Sequence, residues 1–259
     1  MTNHNPIGLF DSGVGGTSIW SAIHTLMPNE DTIYLADSAN APYGKKSKNE
    51  IIDLCIKNSE VLIGMNCKII VVACNTATTN AIKELRAKYE IPFIGIEPAI
   101  KPAALNSKTN TIGVLATKGT LTSELFNKSI EQFQDTTFVE QIGYGLVELI
   151  EEGAINSSEI KSLLIEYLQP MIDKNIDYLV LGCSHYPYLI PQIKQILPPH
   201  IQIIDSGEAV AKQTQKVLVE KIGLNKASQI GKTEFYTNGN PKILSEILNN
   251  KYSVSKKMF

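Results

Sequence analysis

The stretch VVACNTATT, residues 71–79, runs from an apolar segment straight into a polar one with no turn residue between them. Residues 69–73, "IIVVA", have the composition of a strand buried on both faces of a parallel sheet. Cys74, Asn75 and Thr76 follow at once, and the pattern over residues 76–89 predicts a helix. A thiol, an amide and a hydroxyl therefore crowd together where a core strand ends. The chain repeats this at YLVLGCSHYP, residues 178–187, where an apolar run ends in Cys183, Ser184 and His185.

Working outward, short β-branched runs alternate with amphipathic stretches along the whole chain. The candidate strands are IGLF, TIYLA, IIVVA, FIGI, TIGVLA, FVEQI, YLVLG and IQIID. Helical patterns over residues 76–89, 121–133, 157–174 and 190–197 lie between them. Such alternation implies crossover units, an α/β class and mainly parallel sheets. Eight strands also suit a closed barrel. Internal echoes favour two open, pseudo-symmetric sheets: the two Cys endings, and two Asp-Ser-Gly turns at Asp11 and Asp205. The expected division is a first domain of residues 1–97 plus 207–259 and a second of residues 98–206. In open parallel sheets the ligand crevice lies beyond the carboxyl ends of the strands. Asp11, Cys74 and Cys183 all occupy such ends, which points to a cleft between the domains.

The composition describes a globular protein with a real core: 259 residues, 43% hydrophobic and 19% charged. A net charge of -2 leaves no basic footprint for nucleic acid. No apolar run reaches the roughly 18 residues that a membrane helix needs. The start MTNHNPIGLF has neither the basic flank nor the apolar stretch of a secretory signal, so a cytoplasmic location is expected. The carboxyl end, NKYSVSKKMF, reads as a solvated tail.

Four cysteines occur, Cys55, Cys67, Cys74 and Cys183, with no Cys-x-x-Cys pair and no His at ligand spacing. No structural zinc and no disulfide is expected. Cys55 shares a helical face with Ile51, Leu54 and Leu62 and reads as core. Cys67 just precedes a strand and reads the same way. Cys74 and Cys183 stand beside neutral donors and helix starts that favour negative charge and thiolate formation. His185 lies two residues beyond Cys183, and Asp11 could reach Cys74 through folding.

The loop DSGVGGTS has no Lys to make a P-loop, and Asp11 would repel a phosphate. It reads either as a tight turn needing glycine conformations or as a proton-handling carboxylate beside a helix start that binds carboxylate through Ser12 and the following amides. A Cys-His hydrolase would use one thiol and leave the other without a task. Two thiols facing one substrate carbon from opposite sides employ both.

These motifs, in this order, resemble the aspartate/glutamate racemase family, and the glutamate racemases within it. The resemblance rests on GLFDSGVGGTS, YLADSANAPYGKKS, VVACNTATTNA, GIEPAIKPA, GVLATKGTL, LVELIEEG, LVLGCSHYP and IIDSGEAVA. It implies two flavodoxin-like domains with the active site between them. It also implies cofactor-independent, metal-free interconversion of L-glutamate and D-glutamate, the latter for peptidoglycan, and a possible homodimer. By resemblance Cys74 and Cys183 are the acid/base pair, Cys74 acting on D-glutamate and Cys183 on L-glutamate. Asp11, Glu151 and His185 match the assisting ionisable groups. Asp11-Ser12, Tyr43-Gly44, Asn75-Thr76 and Ser184-His185 match the substrate-binding pairs, and Thr117 and Thr120 match a carboxylate site.

Two positions depart from that pattern. The family more often has Thr where this chain has Ser184. The consecutive acids Glu151 and Glu152 leave the match ambiguous by one residue, with Glu151 expected because it directly follows the LVELI run. Rival readings are an aspartate racemase, a Cys-dependent amide hydrolase and a non-catalytic amino-acid-binding protein.

Overall fold

The computed structural model describes residues 2–259. Its strands are β1 (Ile7–Asp11), β2 (Thr32–Ala36), β3 (Ile69–Val72), β4 (Phe93–Gly95), β5 (Thr111–Ala116), β6 (Thr137–Ile142), β7 (Tyr178–Gly182), β8 (Gln202–Ile204), β9 (Thr233–Thr237) and β10 (Val254–Lys256). They form two sheets, ordered β10-β9-β2-β1-β3-β4 and β6-β5-β7-β8, and every pairing is parallel. The expected α/β class and the two open sheets are both present. β1, β2 and β3 are wholly buried, because helices cover both faces of a parallel sheet.

Both sheets share one core order, with the first strand of each unit between the second and the third. In this flavodoxin-like winding, the chain after the first and third strands leaves the sheet at the switch point, where a crevice opens. β3 and β7 are the equivalent third strands, so Cys74 and Cys183 occupy equivalent places. The two Asp-Ser-Gly turns do not. Asp11 ends β1, a first strand, whereas Asp205 follows β8, a fourth strand. Asp205 accepts the Gly207 N–H at 2.7 Å and turns the chain into the helix Gly207–Val217. That echo is a recurrent turn chemistry and not a trace of duplication.

Local capping sets several helix starts. Ser47 and Glu50 form a capping box for Lys48–Gly64, and Ser157 caps Ser158–Asp173. The continuous helix expected over residues 121–133 is two helices, Lys118–Leu121 and Glu124–Ile130. Ser123 divides them by accepting the Phe126 N–H at 3.2 Å, a side-chain cap that competes with helix continuation.

β9 and β10 were not legible as strands, and they add to the β2 edge of the first sheet. The tail is thus a strand and not only a solvated end. Phe259 is buried in the apolar cluster that holds Phe10, Leu35 and Ile51. We propose the division 1–97 plus 207–259 and 98–206, which leaves each sheet whole. A second apolar cluster is continuous between the sheets, holding Leu9 and Val71 from one with Leu115 and Leu181 from the other. Phe259→Ala should lower the unfolding free energy by about 2–3 kcal/mol in urea titrations. A loss under about 0.5 kcal/mol would return the tail to the surface class.

Candidate active site

Cys74 lies just past β3 and caps the helix Asn75–Lys88, its sulfur accepting the Ala77 N–H at 3.5 Å. Its other hydrogen-bond partner is the Ser12 hydroxyl, also at 3.5 Å. Cys183 follows β7, with the His185 Nδ1 3.8 Å from its sulfur. Both thiols line one small cavity of about 10 Å³, together with Ser12, Pro42, Tyr43, Gly44, Asn75, Thr76, Thr117, Val147 and His185. No Lys or Arg lines it. A wider cavity of about 460 Å³ shares Pro42, Gly44, Thr117 and Val147 with it and leads outward.

Asp11, Glu151, Thr120 and Ser184 stand behind this lining. The Asp11 carboxylate accepts from the N–H groups of Gly13 and Gly16 at 3.2 and 3.0 Å, and from the Ser184 hydroxyl at 3.0 Å. It makes no hydrogen bond to Cys74 and acts on that thiol through its field. Burial pushes the Asp11 carboxyl up, against the opposing pull of His185 and the Gly16 N–H. Burial, and then the charge of Asp11, push the Cys74 thiol well above its ordinary range. Burial opposes charge on the His185 ring, but the Cys183 sulfur and the Glu151 carboxylate outweigh it and hold its pKa well above the ordinary value. These surroundings favour a proton on the Cys74 thiol and on the His185 ring.

Glu151 reaches His185, with Oε1 2.6 Å from Nε2, while Glu152 is exposed. Of the two consecutive acids, Glu151 is the one that meets His185. The glycine loop explains how Glu151 arrives. A Cβ on Gly13 would lie 1.8 Å from Glu151 Oε1, and one on Gly15 would lie 2.2 Å from His185 Nδ1. Neither glycine has a positive φ. They are required for close approach of the second domain, not for a left-handed turn.

Neutral donors complete the site. The Asn75 amide is buried with neither its oxygen nor its nitrogen hydrogen-bonded, a costly state unless a ligand supplies partners. Thr76, from the first domain, meets Thr117 and Thr120 from the second, with hydroxyls 2.7 and 3.4 Å away. Tyr43 is the exception. Its hydroxyl turns from the cavity to Asp37, at 2.5 Å, and to Asn58, so only the rest of the residue lines the site. Cys55 and Cys67 are core thiols, and burial pushes Cys67 up to about 12. Among the described residues no cluster of three or more His, Cys, Asp or Glu is placed to hold a metal ion, and no helix is long and apolar enough to cross a membrane.

A family profile described as Asp/Glu/hydantoin racemase matches residues 17–214. The chain belongs to that family. Within it, the glutamate racemase of Herpetosiphon aurantiacus is 42% identical over 243 residues, covering 93% of this chain and 96% of the relative. A solved glutamate racemase isoform of Bacillus anthracis has a TM-score of 0.86 at 30% identity, covering 99% of this chain and 97% of that one. The Francisella tularensis glutamate racemase, solved with D-glutamate, has a TM-score of 0.84 at 30% identity, covering 98% of each chain.

Sequence reasoning did not single out Ser38, Asp37 or Val14. The first two lie inside YLADSANAPYGKKS, from which only Tyr43 and Gly44 were taken. Ser38 donates to Glu151 Oε2 at 2.7 Å and the Val14 N–H donates to Oε1 at 2.6 Å. No local pattern announces either contact, since each joins residues more than a hundred positions apart.

Gly13→Ala should displace Glu151 and lower kcat by about a hundredfold, as a misplacement near 1 Å can do. Retained kcat in a steady-state assay would contradict the close-approach account. A second prediction concerns pH. Because the folded-state pKa of His185 is raised, its contribution to stability is complete below the unfolded value of about 6.5 and is lost as pH rises through the folded value. The stability advantage of wild type over His185→Asn in thermal melts should therefore shrink between about pH 6 and alkaline pH. An advantage that grows over that range contradicts the assignment.

Proposed function

We propose that this protein interconverts L-glutamate and D-glutamate without a cofactor, with Cys74 and Cys183 as the paired acid and base, and so supplies D-glutamate for peptidoglycan. The observation that carries the reading is the meeting of two thiols, each from the equivalent strand end of a different sheet, at one cavity. The choice of glutamate follows relatives named glutamate racemases, matched over 83% to 96% of their own length.

The chemistry needs two groups in opposite protonation states. On L-glutamate the Cys183 thiolate takes the α-hydrogen as a proton, and the C–H electron pair stays on carbon, delocalised into the α-carboxylate. The Cys74 thiol then delivers its proton to the opposite face. D-glutamate runs the reverse course, and each turnover exchanges the protonation states of the two sulfurs. A thiol with an ordinary pKa of about 8.5 can serve in either state near neutrality after a modest local shift. The upward push on Cys74 suits it to hold the proton that L-glutamate receives.

Both carboxylates of the substrate are held by neutral groups in this reading. Asn75 and Ser12 take one, and the hydroxyls of Thr76 and Thr117 turn to donate to the other, with Thr120 hydrogen-bonded behind them. Ser184 and Asp11 brace the wall behind. Fixed donors in a water-poor site stabilise the developing carbanion without reorganising. The 10 Å³ between the thiols has room for about one water, so the domains must part to admit an amino acid and close again on it.

Circular dichroism of the protein with D-glutamate and no added cofactor should show decay of the signal toward zero, with aspartate turned over far more slowly. Faster turnover of aspartate would transfer the reading to aspartate racemase. Cys74→Ala and Cys183→Ala should each lower racemisation by about 10³-fold or more while the melting temperature holds. Two-way turnover by either variant at wild-type rate would sink the two-thiol mechanism. In deuterium oxide the product should carry deuterium at the α-carbon, and unlabelled product would indicate a shielded single base.

A further inference from the structure

The short helix Leu146–Glu151 sends two acidic side chains, one turn apart, onto the first domain. Glu148 pairs with Lys45 at 2.5 Å at the mouth of the cleft. Glu151, deeper in, is held by Ser38 and Val14, which follow β2 and β1 respectively. The two oxygens of Glu151 differ. Oε1 accepts from the Val14 N–H and contacts His185 Nε2, while Oε2 has Ser38 Oγ as its one hydrogen-bond partner among the described residues.

We propose that Ser38 is a positioning residue for Cys183, acting through Glu151 and His185, and that it does so only while the cleft is shut. The inference rests on the racemase reading, with Cys183 as the second-domain base. The terminal torsion of a glutamate side chain is broad, so a carboxylate anchored at one oxygen still swings. Ser38 holds the second oxygen and keeps Oε1 aimed at the imidazole. The imidazole in turn faces the sulfur at 3.8 Å.

Ser38 is itself well fixed. It follows Asp37, whose buried carboxylate accepts from Tyr43, Asn40 and Asn238 at 2.5, 2.7 and 2.5 Å. The next residue, Ala39, donates its N–H to Asn238 at 2.9 Å. Gly239 packs so closely that a Cβ there would lie 2.7 Å from the Cβ of Ser38. Glu151 and His185 belong to the second domain, and the other two hydrogen-bond partners of Glu151, Ser38 and Val14, belong to the first. Separation of the domains removes the Ser38 and Val14 donors together and frees the carboxylate that orients His185. Proton transfer at Cys183 is thereby tied to the closed, water-poor state in which a carbanion survives.

The test compares α-deuterated and unlabelled substrates of each hand in wild type, Ser38→Ala and Ser38→Thr, with melting curves to confirm folding. Ser38→Ala should lower kcat about tenfold with KM within about twofold, the loss of one charge-assisted hydrogen bond. Its isotope effect on kcat/KM should rise with L-glutamate, where removal of the proton by Cys183 slows. The effect should fall with D-glutamate, where removal by Cys74 becomes a pre-equilibrium before slow delivery from Cys183. Ser38→Thr keeps the hydroxyl and should return kcat to within about threefold of wild type. Unchanged kcat in Ser38→Ala, equal losses in both variants, or isotope effects that move alike for the two hands would overturn the inference. The same asymmetry with the hands exchanged would uphold Ser38 and reverse the assignment of thiol to enantiomer. Wild type that racemises no glutamate in this assay would bring down the racemase reading itself, and the inference with it.

Discussion

A carboxylate from one domain occupies the space that a Cβ on the other domain would fill. Glu151 presses on Gly13, and His185 presses on Gly15, within the loop that follows β1. That close approach lets the Glu151 and His185 side chains of the second sheet reach the loop after β1, beside the cavity that both sulfurs line. A side chain at Gly13 would push the Glu151 carboxylate out of its place. The hydrogen bonds of Glu151 to Ser38 and Val14 then convert proximity into orientation.

The electrostatics follow from the same closure. Burial penalises charge on Asp11 and on Cys74, while the sulfur and carboxylate that flank His185 push its pKa up against the same burial. Two chemically identical thiols thereby acquire different surroundings, one facing a carboxylate and the other a positive ring. In the proposed two-thiol mechanism, a pair that must hold opposite protonation states gains from such asymmetry. In the proposed reading the groups that hold the substrate are neutral, chiefly Asn75 and the threonines.

Much of the fold was legible because burial and period are local. The eight strands read from apolar runs are all present, and the paired Cys endings fall on equivalent strands. β9 and β10 escaped because TEFYT is part polar and VSK is only three residues long, as edge strands often are. The break at Ser123 escaped because a capping hydroxyl outweighed a continuous apolar pattern. In the site, residues next to the thiols were readable from their own motifs. Ser38, Asp37 and the true use of Gly13 and Gly15 were not, because their importance lies wholly in partners remote along the chain. Tyr43 shows the converse, a residue in the expected place whose hydroxyl serves the loop and not the cavity.

The amino-acid sequence by itself determined an α/β chain with parallel sheets, thiols at two strand ends and polar donors at the helix starts that follow. Those features depend on side-chain period and composition within a few residues. Only the tertiary structure decided that Asp11 and Asp205 are unrelated in position, that Glu151 and not Glu152 meets His185, and that the tail completes a sheet. Those outcomes depend on how two domains pack, and packing is settled by shape and hydrogen-bond geometry between segments that no short window of sequence contains.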